Sequence, residues 1–338
     1  MRRSPMIGLL VMAIPLILAI VLVRWSRKKD VWIYTNFSKE LISEMEPALR
    51  LAVGDANPRF YAAASDEIAL KVNEEIAHDQ LQADLVLTSD PFWFLEMKQN
   101  GMLLPYRSSE ATEVSADFAD SDGMFTAFRL SAIILGYHSE VYPEAAKNEV
   151  LPKTWKDLAQ PVWSSKFSVG NPLESVPSFT WLAFLARKYG WDYFAELRKL
   201  NLVAAGGNAA ISTRIETRER PLGAVSLDSI LKGETKGSPI RPFYPADGAI
   251  PVPSSIAILR RSPHPELAKR IYDWFFSSEA QQTLIRTGTY SPLARMNPPG
   301  GAPQWGSFPL MKWDPTEIMD IYKHRDQIRA KFSDIVLH

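Results

Sequence analysis

Apolar and polar positions follow a recurring order along this chain: a short apolar run, a polar loop, then a stretch whose apolar positions lie three and four residues apart. Residues 31–34 (VWIY) form the first β-type run, Thr35-Asn36-Phe37-Ser38 the loop, and 39–51 the helical pattern. The order repeats with a strand over 59–62, Ser65 as the cap of a helix over 66–78, and Glu67 in that helix's first turn. It repeats again with 84–87, the loop Thr88-Ser89-Asp90-Pro91 and a helix over 92–100. Three consecutive strand–helix units predict a parallel sheet. The polar loops then fall at the carboxyl ends of its strands, where open sheets of this kind bind ligands.

A long β-type run over 125–137 (FTAFRLSAIILGY), interrupted by Arg129 and Ser131, predicts a crossing into a second lobe. That lobe repeats the design. A strand over 166–169 leads through Gly170-Asn171-Pro172 to Ser175 and Ser178 before a helix over 179–189. A strand over 200–204 leads to Gly206-Gly207-Asn208 before a helix running to 219, and a strand over 223–227 ends at Asp228. The apolar run 254–259 and the helix from Glu266, with Leu267, Ile271, Trp274 and Phe275 on one face, bring the chain back to the first lobe. Ser254 and Ser255 read there as strand or hinge residues rather than ligand contacts. A Pro- and Gly-rich surface run over 294–308 precedes a tail over 315–337 that is helical in pattern and expected on the outside of the first lobe. The predicted division is a membrane segment over 1–29, one lobe over 30–130 with 245–338, and a second over 131–244.

With 338 residues and 46% apolar content the chain can bury a core large enough for two lobes. Residues 6–23 (MIGLLVMAIPLILAIVLV) are uncharged over a length that just crosses a bilayer, so they form either a membrane helix or an export signal. No small-x-small cleavage site lies at their end, which favours an uncleaved anchor in the lipid bilayer. The chain has no cysteine, so neither a lipidated cysteine nor a disulfide is available. Arg24, Arg27, Lys28 and Lys29 follow the span and only Arg2 and Arg3 precede it, a bias that by itself favours a cytoplasmic C-terminal domain. Large domains translocate largely regardless of such charges. From Asp30 onward 32 basic residues face 38 acidic ones, a net of −6, which argues against a nucleic-acid surface.

The sequence has no GxxxxGK[ST], GxSxG, HExxH or GxGxxG, and its five histidines are scattered without metal-ligand spacing. An enzyme, a metal site and a cofactor are therefore not expected. What the loops do carry is short neutral donors: Thr35, Asn36 and Ser38; Thr88 and Ser89; Ser175 and Ser178; Gly207 and Asn208. Helix N-termini leave backbone N–H groups free and partly positive, so hydroxyls beside them make an anion site without a full cation. Taken singly, each reads better as an ordinary N-cap, so the anion site rests on several of them converging at one cleft. Arg129 offers either a bidentate fork to a phosphonate or carboxylate, or a structural ion pair. Asp228 is placed to receive an amine or a sugar hydroxyl.

Several stretches in order carry a family resemblance: VWIYTNFS, ADLVLTSDPFWFLEMKQNGMLLPY, TWKDLAQPVWSSKFSVGNP, GAVSLDSIL and the run from FYPADGAIPVP to the Pro292 end of the return segment. Together they resemble the family 1 extracellular solute-binding proteins of ABC importers, in the branch that binds ferric ion, phosphonates or organophosphates. The resemblance implies an α/β, two-lobed type II periplasmic-binding fold, crossing strands as a hinge, a ligand held in the cleft without covalent chemistry, and a location outside the cytoplasmic membrane. It implies an ABC permease as partner or, as in phosphoglycerate-responsive members, a membrane histidine kinase. Ferric binders of this family place adjacent tyrosines after the strand that reads GAVSL here, whereas this chain has Asp228-Ser229. Phenolates are hard donors suited to Fe³⁺, and a carboxylate with a hydroxyl does not replace two of them. A small anionic solute, an organophosphate or phosphonate, is the expected ligand, with Thr35, Asn36, Ser38, Thr88, Ser89, Arg129, Ser175, Ser178, Gly207, Asn208 and Asp228 as its candidate contacts.

Overall fold

The computed structural model describes residues 28–143, 151–312 and 314–338. The segment 6–23, expected to lie in the bilayer, is outside the described residues, and among these no helix is long and apolar enough to cross a membrane.

The first three units form as their patterns require. Strand β1 (Lys29–Thr35) leads to helix α1 (Lys39–Val53), which buries Leu41, Met45, Leu49 and Val53, one residue per turn. Ser38 caps it by accepting from the Leu41 N–H at 3.3 Å, and Gly54 ends it at a positive φ of 56°. Strand β2 (Ala56–Ala62) precedes α2 (Ser65–Ala77), and β3 (Leu85–Thr88) precedes α3 (Pro91–Gln99). Asp90 caps α3 through the N–H groups of Phe92 and Trp93, both at 3.1 Å. Ser65 is not a cap: Ala64 holds that position and Ser65 opens the helix, which frees its hydroxyl for another partner.

After a short β4 (Leu103–Leu104), the long β5 (Thr126–His138) crosses the molecule. Beyond it come β6 (Phe167–Val169), α4 (Val176–Tyr189), α5 (Trp191–Lys199), β7 (Val203–Ala204), α6 (Asn208–Glu216), β8 (Leu222–Ser226), α7 (Leu227–Glu234) and β9 (Ile240–Phe243). Asp228 thus lies in the first turn of a helix, where the sequence reading had put it at a strand end. The return strand β10 (Ile250–Leu259) is longer than its apolar run and buried at all ten positions. It is followed by α8 (Pro265–Trp274) and α9 (Ser278–Arg286), and then by the tail helices α10 (Pro315–Lys323) and α11 (Arg325–Phe332).

One sheet connects everything, in the order β2-β1-β3-β10-β5-β8-β6-β7, with β4 on β10 and β9 on β5. β1 is parallel to β2 and β3, and β6 is parallel to β7 and β8. The antiparallel pair β5 and β10 joins these two parallel halves. β10 meets β3 only from Ser255 onward, so the part holding Pro251 and Pro253 is paired with β5 and has an open side, where a missing N–H is tolerated. The register slips between Ser254 and Ser255: Ser254 faces Arg129, but Ser255 faces Ala127. Such a bulge bends the strand and re-aims its side chains.

The tail departs from its expected place on the first lobe alone. α10 packs on α3, while α11 and a closing π turn over Ser333–Leu337 reach α5. Phe332 is fully buried there, its ring 5.8 Å from that of Phe194. An amphipathic pattern shows that a helix buries one face; it does not show against what.

Candidate functional site

The carboxyl ends of the strands meet at a cavity of ≈200 Å³, lined among others by Asn36, Ser89, Arg129, Asn208 and Asp228. Five of the predicted residues therefore converge there. Ser38, Ser175 and Gly207 line an adjoining, wider opening together with Asn36. The remaining three do not reach the cleft. Thr35 is buried and accepts from the Phe37 N–H at 3.3 Å, a local turn bond. Thr88 is buried in β3, its hydroxyl without a partner among the described residues. Ser178 is buried behind the cleft and donates to Ser175 Oγ at 3.1 Å, packed so close to Gly170 that a Cβ there would lie 2.3 Å from its oxygen.

The cavity's floor is a closed ring of four side chains. Arg129 donates from Nε to Ser254 Oγ at 3.1 Å and from one terminal nitrogen to Asn36 Oδ1 at 3.2 Å. Ser254 shares a proton with Ser89 at 2.7 Å, and Asn36 Nδ2 closes the ring by donating to Ser89 at 3.1 Å. The same amide nitrogen also reaches Ser65 Oγ at 3.3 Å, the hydroxyl released when Ser65 proved not to be a cap. Three strand ends and the central pair thus fix one guanidinium. Its central carbon lies 4.8 Å from the Phe37 ring centre and 5.7 Å from that of Phe128, two rings that pack against each other with centres 5.8 Å apart and together back the guanidinium.

Arg129 has only neutral partners, and its second terminal nitrogen has none among the described residues. Burial pushes its pKa down to about 10, and the charge of Asp228 acts in the opposite direction. It remains a cation at neutral pH. Asp228 accepts from Ser131 Oγ, and its own N–H points back at that hydroxyl at 3.4 Å. Across the cavity Asn208 donates to Ser226 Oγ at 2.7 Å. The strands and loops missed as ligand-facing are Ser65, Ser131, Ser226, Ser254 and Thr289, all buried residues with a surface on the cavity. For Ser131 the alternation along the strand is a usable signal, since Arg129 and Ser131 are two apart and so share a face.

Among the described residues no group of three or more His, Asp or Glu side chains is placed to hold a metal ion. The site is a set of hydroxyl and amide groups around one cation and one carboxylate.

These features define a class: two α/β halves hung on crossing strands, with a polar cleft at the strand ends, as in periplasmic binding proteins. The family described as bacterial extracellular solute-binding protein matches residues 82–317, and the chain belongs to it. A protein of Sinorhizobium fredii named a probable ABC transporter periplasmic-binding protein is 23% identical over 208 residues, 59% of this chain and 57% of that one. A Salmonella typhimurium protein, named provisionally as a 2-aminoethylphosphonate-binding periplasmic protein, is 19% identical over 59% of each chain. The matches thus span a little over half the length of these relatives. Among solved structures, AfuA from Actinobacillus pleuropneumoniae with fructose-6-phosphate bound superposes with a TM-score of 0.77 at 18% identity, covering 92% of this chain and 99% of that one. A ferric binding protein from Campylobacter jejuni gives 0.76 at 18% identity, over 89% and 99%. At such identities these likenesses establish the fold.

Proposed function

We propose that this protein captures a small anionic solute, an organophosphate or phosphonate, outside the cytoplasmic membrane and delivers it to an ABC permease, tethered by residues 6–23. The observation that carries this reading is the Arg129 guanidinium, held flat by neutral partners with donor capacity directed at an open cavity. A planar fork in that state matches a phosphonate or phosphate oxygen pair. Ser89 and Asn208 line the cavity as neutral polar groups beside it, Asn36 is spent on holding the guanidinium, and Ser38, Ser175 and Gly207 stand at the entrance. A volume of ≈200 Å³ is below the range of about 300–1,000 Å³ typical of drug-sized ligands and suits a solute of few atoms.

Residues 30–130 with the return from 245 form one lobe in this reading, and 131–244 the other. β5 and β10 are the hinge, and ligand contacts from both sides favour the closed form. The relatives' names support the class of partner and of solute, and the absence of a tyrosine pair at Asp228-Ser229 speaks against ferric ion. A thermal-shift screen of the full-length chain in detergent is the test. Phosphonates and phosphate monoesters should raise Tm; stabilisation by Fe³⁺ or polyamines with no response to phosphorylated compounds would refute the reading.

A further inference from the structure

We infer that the solute is a zwitterion: its anionic end is held at Arg129 and an ammonium group at its other end is held by Asp228. This rests on the cleft being the solute site. Arg129 and Asp228 line the same ≈200 Å³ cavity. Their hydrogen bonds go only to neutral groups, Arg129 to Ser254 and Asn36 and Asp228 to Ser131, and neither belongs to an ion pair among the described residues. Groups of opposite charge thus line one small cavity with no ion pair joining them among the described residues.

Partly desolvated charges are retained at a cost unless something pairs with them. A simple anion would satisfy Arg129 and meet repulsion from Asp228 at the short range that so small a cavity enforces. A solute with both signs satisfies both walls. Asp228 is also fixed where it stands: Ser131 donates to its carboxylate, and its backbone is pressed by Gly288, where a Cβ would lie 2.7 Å from the Asp228 carbonyl oxygen. Gly288 has a φ of +89°, so the close approach is built on a residue that tolerates it. Such a held carboxylate discriminates sharply, because an analogue lacking the donor leaves it unpaired.

Isothermal titration of the full-length chain with 2-aminoethylphosphonate, ethylphosphonate and glycerol 3-phosphate decides the point. The amine should bind at least about tenfold more tightly than either of the others, the difference expected for one hydrogen bond to a charged group. In Asp228→Asn the ratio between 2-aminoethylphosphonate and ethylphosphonate should fall below about threefold. Equal or tighter binding of ethylphosphonate or glycerol 3-phosphate by the unaltered chain overturns the inference while leaving the anion site standing, as does a ratio that survives in Asp228→Asn. If none of the three compounds nor inorganic phosphate binds, the anion reading falls as well.

Discussion

The two faces of the central strands are built for opposite purposes. On one face Val252 and Ser254 of β10 join Arg129 and Ser131 of β5 in the polar cleft; on the other, Pro253 and Ser255 line a larger cavity of ≈430 Å³ with Leu95, Phe118, Phe125, Ile318 and Met319. Neighbouring residues of one strand thus serve a charged site and a largely apolar void. The first face holds its side chains through directional bonds, as in the four-membered ring around Arg129. The second is closed by the tail, whose α10 covers α3 while α11 is anchored on α5. Specificity and cohesion are therefore separated by the thickness of a sheet, and each should yield to different substitutions.

The largest effect is expected on the tail side. Phe332→Ala removes a fully buried ring that packs edge-on to Phe194 and should cost about 3–5 kcal/mol of stability by denaturant unfolding. Solute affinity measured where the variant is still folded should stay within about threefold. A tenfold loss would show that the two faces are not independent. On the cleft side, Arg129→Gln removes the cation but keeps an amide, and the anionic solute should bind about a hundredfold more weakly, roughly 2.7 kcal/mol by titration. Unchanged binding would move the anion site elsewhere.

Gly170→Ala comes next, as it pushes a methyl to 2.3 Å from Ser178 Oγ and 2.7 Å from the Gly206 carbonyl. The Gly206 contact is backbone and cannot rotate away, so a loss of about 1–3 kcal/mol is expected. Because Ser178 bonds to Ser175 at the cleft entrance, the same variant should also weaken the solute measurably. A variant as stable as the parent would mean that the loop after β6 relaxes freely.

Much of this comparison was visible in the residues, and its limits have physical reasons. The three opening strand–helix units and the crossing run followed from periodicity, because each buries a regular stripe or face. The convergence of Asn36, Ser89 and Asn208 follows from their places just beyond strand ends, whereas Arg129 lies within β5 and Asp228 in the first turn of α7. Thr35 and Thr88 belonged to the same loops yet point inward, since the direction of a side chain at a strand end depends on local backbone angles that composition does not report. Ser65 looked like a cap because serine favours that role, but the chain starts the helix one residue earlier. Ser254 was set aside as a hinge residue, and the bulge opposite Arg129 that places it in the ring has no local sequence signature. Asp228 was read at a strand end because α7 begins without a side-chain cap to announce it.

The smallest effect separates packing from charge within the tail itself. Arg187 of α4 bonds to Asp320 at 2.8 Å and Glu317 at 3.3 Å on α10, tying the second half of the chain to the tail through exposed groups. All three side chains are between 39% and 55% exposed, so water and salt compete for each charge. Arg187→Ala should therefore cost under about 1 kcal/mol, and the difference from the parent should shrink further in about 1 M salt. Phe332, in contrast, loses nothing to salt, since its contribution is area removed from water. If Arg187→Ala proved as damaging as Phe332→Ala, the tail would be held by its ion pairs, and the apolar face of the central strands would owe its closure to charge.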